Sequence, residues 1–219
     1  MLTIVLTRHG KTRLSLPEQY LGQRMDVPLS EEGRAAAQAL HGRLDGVALA
    51  RVIASPLQRA LQTARIITPT ATVEPEPRLI EADYGEWEGH TRSAIRVRWP
   101  ELRQAWEADP ASVSPPGGES GADVSERVRS FVTSLVDWEK TLERPDDEHR
   151  VLVVGHSTVN RILLALALGV PLRDYRRRIR QDWVNLTVLT TVTNEGGLLV
   201  LDNDVSHIRG VRGITWDVT

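Results

Sequence analysis

The sequence predicts an α/β three-layer sandwich on a mostly parallel central sheet with a hairpin at one edge. Three observations point there. Short apolar, β-branched runs at residues 2–7, 51–54 and 150–154 each end in a polar turn, as strands buried on both faces do. Stretches with helical hydrophobic spacing follow the runs, the alternation that covers both faces of a parallel sheet. Two further strand-like segments, 184–192 and 198–201, flank Asn194, Glu195, Gly196 and Gly197 and read as a closing hairpin.

Residues 2–7 (LTIVLT) form the expected first strand. Residues 30–44 carry alanine and leucine at helical spacing behind Ser30, whose hydroxyl can cap the first turn. The second strand is 51–54 (RVIA). Ser55 and Pro56 are expected to start the next helix, because proline suits a first helical turn, with Leu57, Ala60, Leu61, Ala64 and Ile67 as its inward stripe. Short helical pieces over 91–108 and the turn-rich DPASVSPPGGESG make an insertion, at about 84–120, over the sheet edge. A long helix follows over about 120–142, with Val124, Val128, Phe131, Leu135 and Trp138 on one face, and then an acidic loop at 144–149. The third strand, 150–154, feeds Gly155, His156, Ser157 and a helix over 159–168. Residues 202–219 read only as a tail near the sheet edge.

The length, 219 residues, fits a single domain over 1–219. With 41% hydrophobic and 26% charged residues the composition is that of a globular chain, which excludes long disorder and collagen-like or coiled-coil repeats. Twenty-seven basic and 29 acidic residues leave a net charge of -2, too little overall field to attract nucleic acid or a membrane surface. The absence of cysteine excludes disulfides, thiolate metal sites and a cysteine nucleophile. The start, MLTIVLTRHG, lacks the basic flank of a signal peptide, no run approaches the ~20 apolar residues of a membrane span, and the first strand begins at residue 2. A cytoplasmic protein with no leading tail is the expectation.

In such a sheet the ligand site lies beyond the carboxyl ends of the strands. Arg8, His9 and Gly10 follow the first strand; Ser55, Pro56 and, one turn on, Arg59 follow the second; Gly155 and His156 follow the third; residues 79–80 lead into Glu81. Singly these are a surface Arg-His pair, a solvated helix arginine, a loop carboxylate and a core histidine. Together they converge on one rim. Guanidinium groups match phosphate oxygens bidentately, and histidine is nucleophilic near neutral pH and can form a covalent intermediate. Two histidines without an acidic or thiol cluster make a poor zinc site, so no metal is required.

Five ordered blocks then resemble the histidine phosphatase superfamily, branch 1, with its phosphoglycerate mutase-like fold. Thr7 to Thr12 (TRHGKT) resembles the signature; Gly22, Asp26, Pro28, Leu29, Ser30, Gly33 and Gln38 the stretch after it; SPLQRA with Thr63 and Ala64 the second arginine helix; EADYGEWEG from Glu81 the acid loop; and PGGES with VVGHS the remainder. The resemblance implies that His9 is the nucleophile, that Arg8, Arg59 and His156 hold the phosphoryl oxygens, and that Glu81 protonates the leaving group and then takes a proton from water. Ser15, Gln23, Arg59, His156 and Ser157 join Arg8 as substrate contacts. No cofactor and no metal is implied. The chain departs from the family pattern at Lys11, usually Glu or Gln, at Ser15, usually Asn, and in one extra residue between Gly22 and Asp26.

The acid loop and PGGES resemble the phosphatase subgroup, so hydrolysis of a small-molecule phosphate ester is the expected function, with a cofactor-dependent phosphoglycerate mutase as the alternative. The insertion would set leaving-group specificity, with Trp87, Trp99 and Trp106 as pocket walls or, for at least two of them, core; Trp183 and Asn185 are further candidates to reach the site. A different class of reading is a non-catalytic binding protein using Arg173, Arg176, Arg177, Arg178 and Arg180. A solvated helix face, or an oligomer contact such as a homodimer's, is the plainer account of that cluster, and no nucleic-acid or membrane partner is expected.

Overall fold

A computed structural model of the chain describes residues 1–143 and 147–210. Six strands form one sheet in the order β3-β2-β4-β1-β5-β6. The strands are Leu2–Arg8 (β1), Arg51–Ala54 (β2), Val73–Pro75 (β3), His149–Gly155 (β4), Leu186–Thr190 (β5) and Leu198–Asp204 (β6). The first four run parallel, while β5 and β6 are antiparallel and form the edge hairpin. This is the predicted mixed α/β architecture.

Strand alternation sorts the core into two layers. Leu2, Ile4 and Leu6 of β1 and Val151 and Val153 of β4 face Val124, Val128, Phe131 and Leu135 of Gly121–Lys140 (α5) and Val159 and Ile162 of Ser157–Leu168 (α6). Val5, Val52, Leu152 and Val154 face Ala36, Ala37 and Leu40 of Glu31–Leu44 (α1) and Ala60, Ala64 and Ile67 of Gln58–Ile67 (α2). Between β3 and α5 lie Arg92–Arg98 (α3) and Pro100–Ala108 (α4), and a single turn, Tyr175–Arg178 (α7), precedes the hairpin. Among the described residues no helix is long and apolar enough to cross a membrane.

The structure corrects two local expectations and adds one strand. Ser55 and Pro56 do not begin α2. The Ser55 amide still bonds Val154 O at 3.0 Å, which keeps the chain in the sheet ladder, and the helix starts at Gln58, whose amide is capped by the Asp26 carboxylate at 2.9 Å. Strand β3 lacks a sequence signal because it is three residues long on an edge. Residues 202–204 end β6 instead of belonging to a tail; of the rest of that tail, 211–219 lie outside the described residues, as do 144–146 of the acidic loop.

The register places the site. Arg8 pairs with Gly155, and Ala54 with Val154, so β1, β2 and β4 release their next residues side by side at one carboxyl edge. Those residues are His9, Ser55 and His156.

Candidate active site

His9 leaves the central strand with its amide bonded to Gly155 O at 3.0 Å. Gly10 then passes so close to the start of α1 that a Cβ would sit 2.7 Å from Gly33 O, which only glycine allows. Thr63 Oγ1 accepts from Gly10 N at 3.0 Å and donates to Arg59 O at 2.7 Å, tying the loop to α2. The His9 ring is 5% exposed and its Nδ1 lies 2.7 Å from Gly10 O. A carbonyl only accepts, so Nδ1 carries the proton. Burial, reinforced by the charges of Arg59 and Arg8, holds the His9 pKa well below the ordinary histidine value. The ring is therefore neutral near pH 7, with its lone pair on Nε2.

His156 is fully buried, its ring centroid 5.0 Å from that of His9. Its pKa is also pushed well down, by burial and then by Arg59, His9 and Arg8. Ser55 Oγ already accepts from Leu57 N at 3.4 Å, so its hydrogen is free to go to His156 Nε2 at 2.7 Å, leaving Nδ1 as the protonated nitrogen. Arg59 is fully buried and donates to Leu21 O, Gly22 O and Met25 O. Arg8 donates to Gln181 O at 3.0 Å, and its guanidinium lies 4.5 Å over the Trp183 ring. His156 Nδ1, Arg59 Nε and Arg8 Nε are buried with no hydrogen-bond partner among the described residues. Buried donors of this kind carry a desolvation cost that a bound oxyanion would offset.

Glu81 faces the start of α6. Its Oε2 accepts from Thr158 N at 3.2 Å, and its Oε1 from Ala82 N at 2.9 Å and Val159 N at 3.4 Å. The positive end of the helix thus meets a carboxylate. Arg127 of α5 donates to the carbonyls of Arg78, Ile80 and Glu81, and Glu119 accepts from Arg127, from Gln23 Nε2 and from Asp83 N. The acid loop turns at Gly85, whose φ is +53° and where a Cβ would lie 2.0 Å from Pro116 O. No spacing signal in the sequence marks Arg127, Thr158 or Arg161.

Three residues expected to contact substrate already have partners inside the protein. Ser15 is buried and its Oγ accepts from Thr12 N at 2.9 Å. Gln23 Nε2 donates to Glu81 O and Glu119 Oε2. Ser157 Oγ accepts from Arg161 Nη1 at 2.6 Å. Lys11 pairs with Glu32 at 2.7 Å. Trp87 and Trp106 are buried edge to face at 5.3 Å, whereas Trp99 is only half-buried. Asn185 Oδ1 accepts from Arg8 N at 3.0 Å. The arginine cluster divides: Arg177 and Arg178 pair with Asp174 and Arg180 with Asp182, while Arg176 turns inward over Trp106.

Known proteins resemble the chain in sequence and in fold. A bifunctional protein of Mycobacterium tuberculosis is 39% identical over 213 residues, which are 94% of this chain and 54% of that protein, so the chain spans about half the length of the first curated relatives it matches. A glucosyl-3-phosphoglycerate phosphatase of Mycobacterium tuberculosis is 34% identical over 175 residues, 78% of each chain. Among solved structures, Bacillus stearothermophilus YhfR superposes with a TM-score of 0.82 at 32% identity, over 95% of this chain and 100% of that one. The family model for the histidine phosphatase superfamily (branch 1) matches residues 4–204, and the chain belongs to that superfamily.

Proposed function

We propose that the protein is a phosphomonoesterase that hydrolyses small phosphorylated metabolites through a phosphohistidine on His9. The observation that carries this reading is the set of buried, unpartnered donors on Arg8, Arg59 and His156 beside a neutral His9. They supply hydrogen bonds and charge for the non-bridging oxygens of a phosphoryl group, preorganised before the reaction. His9 Nε2 attacks phosphorus, the ester P–O bond breaks, and Glu81, having taken up the proton that a monoanionic ester brings, passes it to the leaving oxygen. Water then attacks the phosphohistidine, the N–P bond breaks, and Glu81 takes the water's proton. Gln23 and Ser157 act in this scheme by bracing the Glu81 carbonyl and the first turn of α6, and Ser15 by closing the turn after the signature. Relatives such as the glucosyl-3-phosphoglycerate phosphatase above support the reaction class.

Phosphate release from a panel of esters in excess EDTA, wild type beside His9→Ala, tests this. Release by the wild type and background release by the variant is the expected result. Turnover that survives in His9→Ala would sink the phosphohistidine. Interconversion of phosphoglycerates, with 2,3-bisphosphoglycerate added, that outpaces hydrolysis would replace the hydrolase by a mutase.

A further inference from the structure

Two more arginines reach the same place as Glu81. Arg161 lies one turn into α6, so its side chain runs back over the helix start, where Nη1 donates to Ser157 Oγ at 2.6 Å and Nε to Ile179 O at 2.8 Å. Arg176 approaches from α7, its Nη1 3.5 Å from Thr158 Oγ1. That same threonine donates its amide to Glu81 Oε2 at 3.2 Å and shares its hydroxyl with Tyr84 OH at 2.6 Å. Arg176 thus touches Thr158, which bonds the Glu81 carboxylate, and Arg161 touches Ser157, the residue before it in the first turn of α6. Glu81 is the group that would meet the leaving oxygen.

Neither arginine has a carboxylate within 4.0 Å among the described residues, although the exposed Arg177, Arg178 and Arg180 nearby all do. Arg176 is held by an aromatic face instead, 4.5 Å over Trp106, which orients the cation without cancelling its charge. Burial, with Arg176 and Arg8 as like-charged neighbours, pushes the Arg161 pKa down to about 10. Arg8, the neighbouring cation, pairs with Glu18 at 3.4 Å, so among the described residues Arg161 and Arg176 are the two at this rim without an ion pair of their own, and an entering anion would supply that counter-charge.

We infer that Arg161 and Arg176 form a subsite for a second anionic group. The physiological substrate is then a phosphomonoester whose alcohol portion carries a carboxylate or a further phosphate a few bonds from the ester oxygen, a proposal that rests on the phosphomonoesterase reading and narrows it. The phosphoryl group sits on Arg8, Arg59 and His156, the ester oxygen lies against Glu81, and the second anion lies beyond it.

Paired substrates test this. 3-Phosphoglycerate and glycerol 3-phosphate differ only by a carboxylate in place of a hydroxymethyl group; propane-1,3-diol bisphosphate and propyl phosphate ask the same of a second phosphate. In Arg176→Gln and in Arg161→Gln the ratio of kcat/KM for the doubly anionic over the singly anionic partner should fall about 10- to 100-fold in at least one pair, the size of a lost charge-assisted contact, and Arg176→Lys should restore part of it. The pair that responds names the group. Ratios that stay within about twofold in every variant, whatever happens to stability, would overturn the subsite. So would a wild type that hydrolyses p-nitrophenyl phosphate but none of the four esters, with the phosphatase reading intact. Silence on p-nitrophenyl phosphate as well would overturn both.

Discussion

His9→Gln should make the protein less sensitive to acid. His9 is 5% exposed and His156 fully buried, their rings 5.0 Å apart, and burial with the charges of Arg59 and Arg8 holds both pKa values well below the histidine value of 6.5. In the unfolded chain both titrate near 6.5. Between that pH and the lowered native values the unfolded chain binds the extra protons, so stability is present above about 6.5 and is lost as pH falls. Each imidazole contributes a slope of about 1.4 kcal/mol per pH unit in that window, and the pair nearly 3 kcal/mol, against a total stability of about 5–15 kcal/mol. Glutamine is polar and of similar size but does not titrate. Urea unfolding at a series of pH values from 7.5 to 5 in phosphate-free buffer should therefore give, for His9→Gln, a dependence shallower than wild type by about 1.4 kcal/mol per unit. His156→Gln should behave alike. Inorganic phosphate, by neutralising the rim, should flatten the wild-type curve. Parallel curves for the wild type and both variants would refute the buried, neutral imidazoles and with them the available lone pair on His9.

Two further outcomes follow from the acid loop. Glu81→Gln should lower turnover of alkyl phosphates by about 10²- to 10⁴-fold, but of aryl phosphates far less, because a phenolate leaves without a proton; equal losses in steady-state assays on both would remove Glu81 from that role. Gly85→Ala should cost about 2 kcal/mol or more, since the residue has φ of +53° and its new Cβ would meet Pro116 O at 2.0 Å; a melting temperature within about 2 °C of wild type would count against it.

Legibility in the sequence followed the physics of each element. Strands β1, β2 and β4 are buried on both faces and read as continuous apolar runs, and the residues after them were legible as a rim because parallel strands end together. Strand β3 is too short, and too exposed at the edge, for any pattern. The start of α2 is set by a hydrogen bond to Val154 and a cap from Asp26, both distant in sequence, so local proline preference pointed two residues too early. His9, His156, Arg8, Arg59 and Glu81 stood out by type and position. The cluster at 173–180 was visible only as charge. That Arg176 turns inward while Arg177 and Arg178 pair with Asp174 depends on Trp106, a residue of α4 that no local pattern connects with it.

The parallel pairing of β1 with β4 also orders events on the ribosome. His9 directly follows β1, yet the strand that β1 pairs with, the second imidazole and the α6 turn that faces Glu81 all come about 140 residues later. At elongation rates of about 5–20 residues per second, the nascent chain spends on the order of ten seconds with its future nucleophile solvated, protonatable and without an anion cradle. Until α6 has been made, the imidazoles, the guanidiniums and Glu81 are not gathered at one rim.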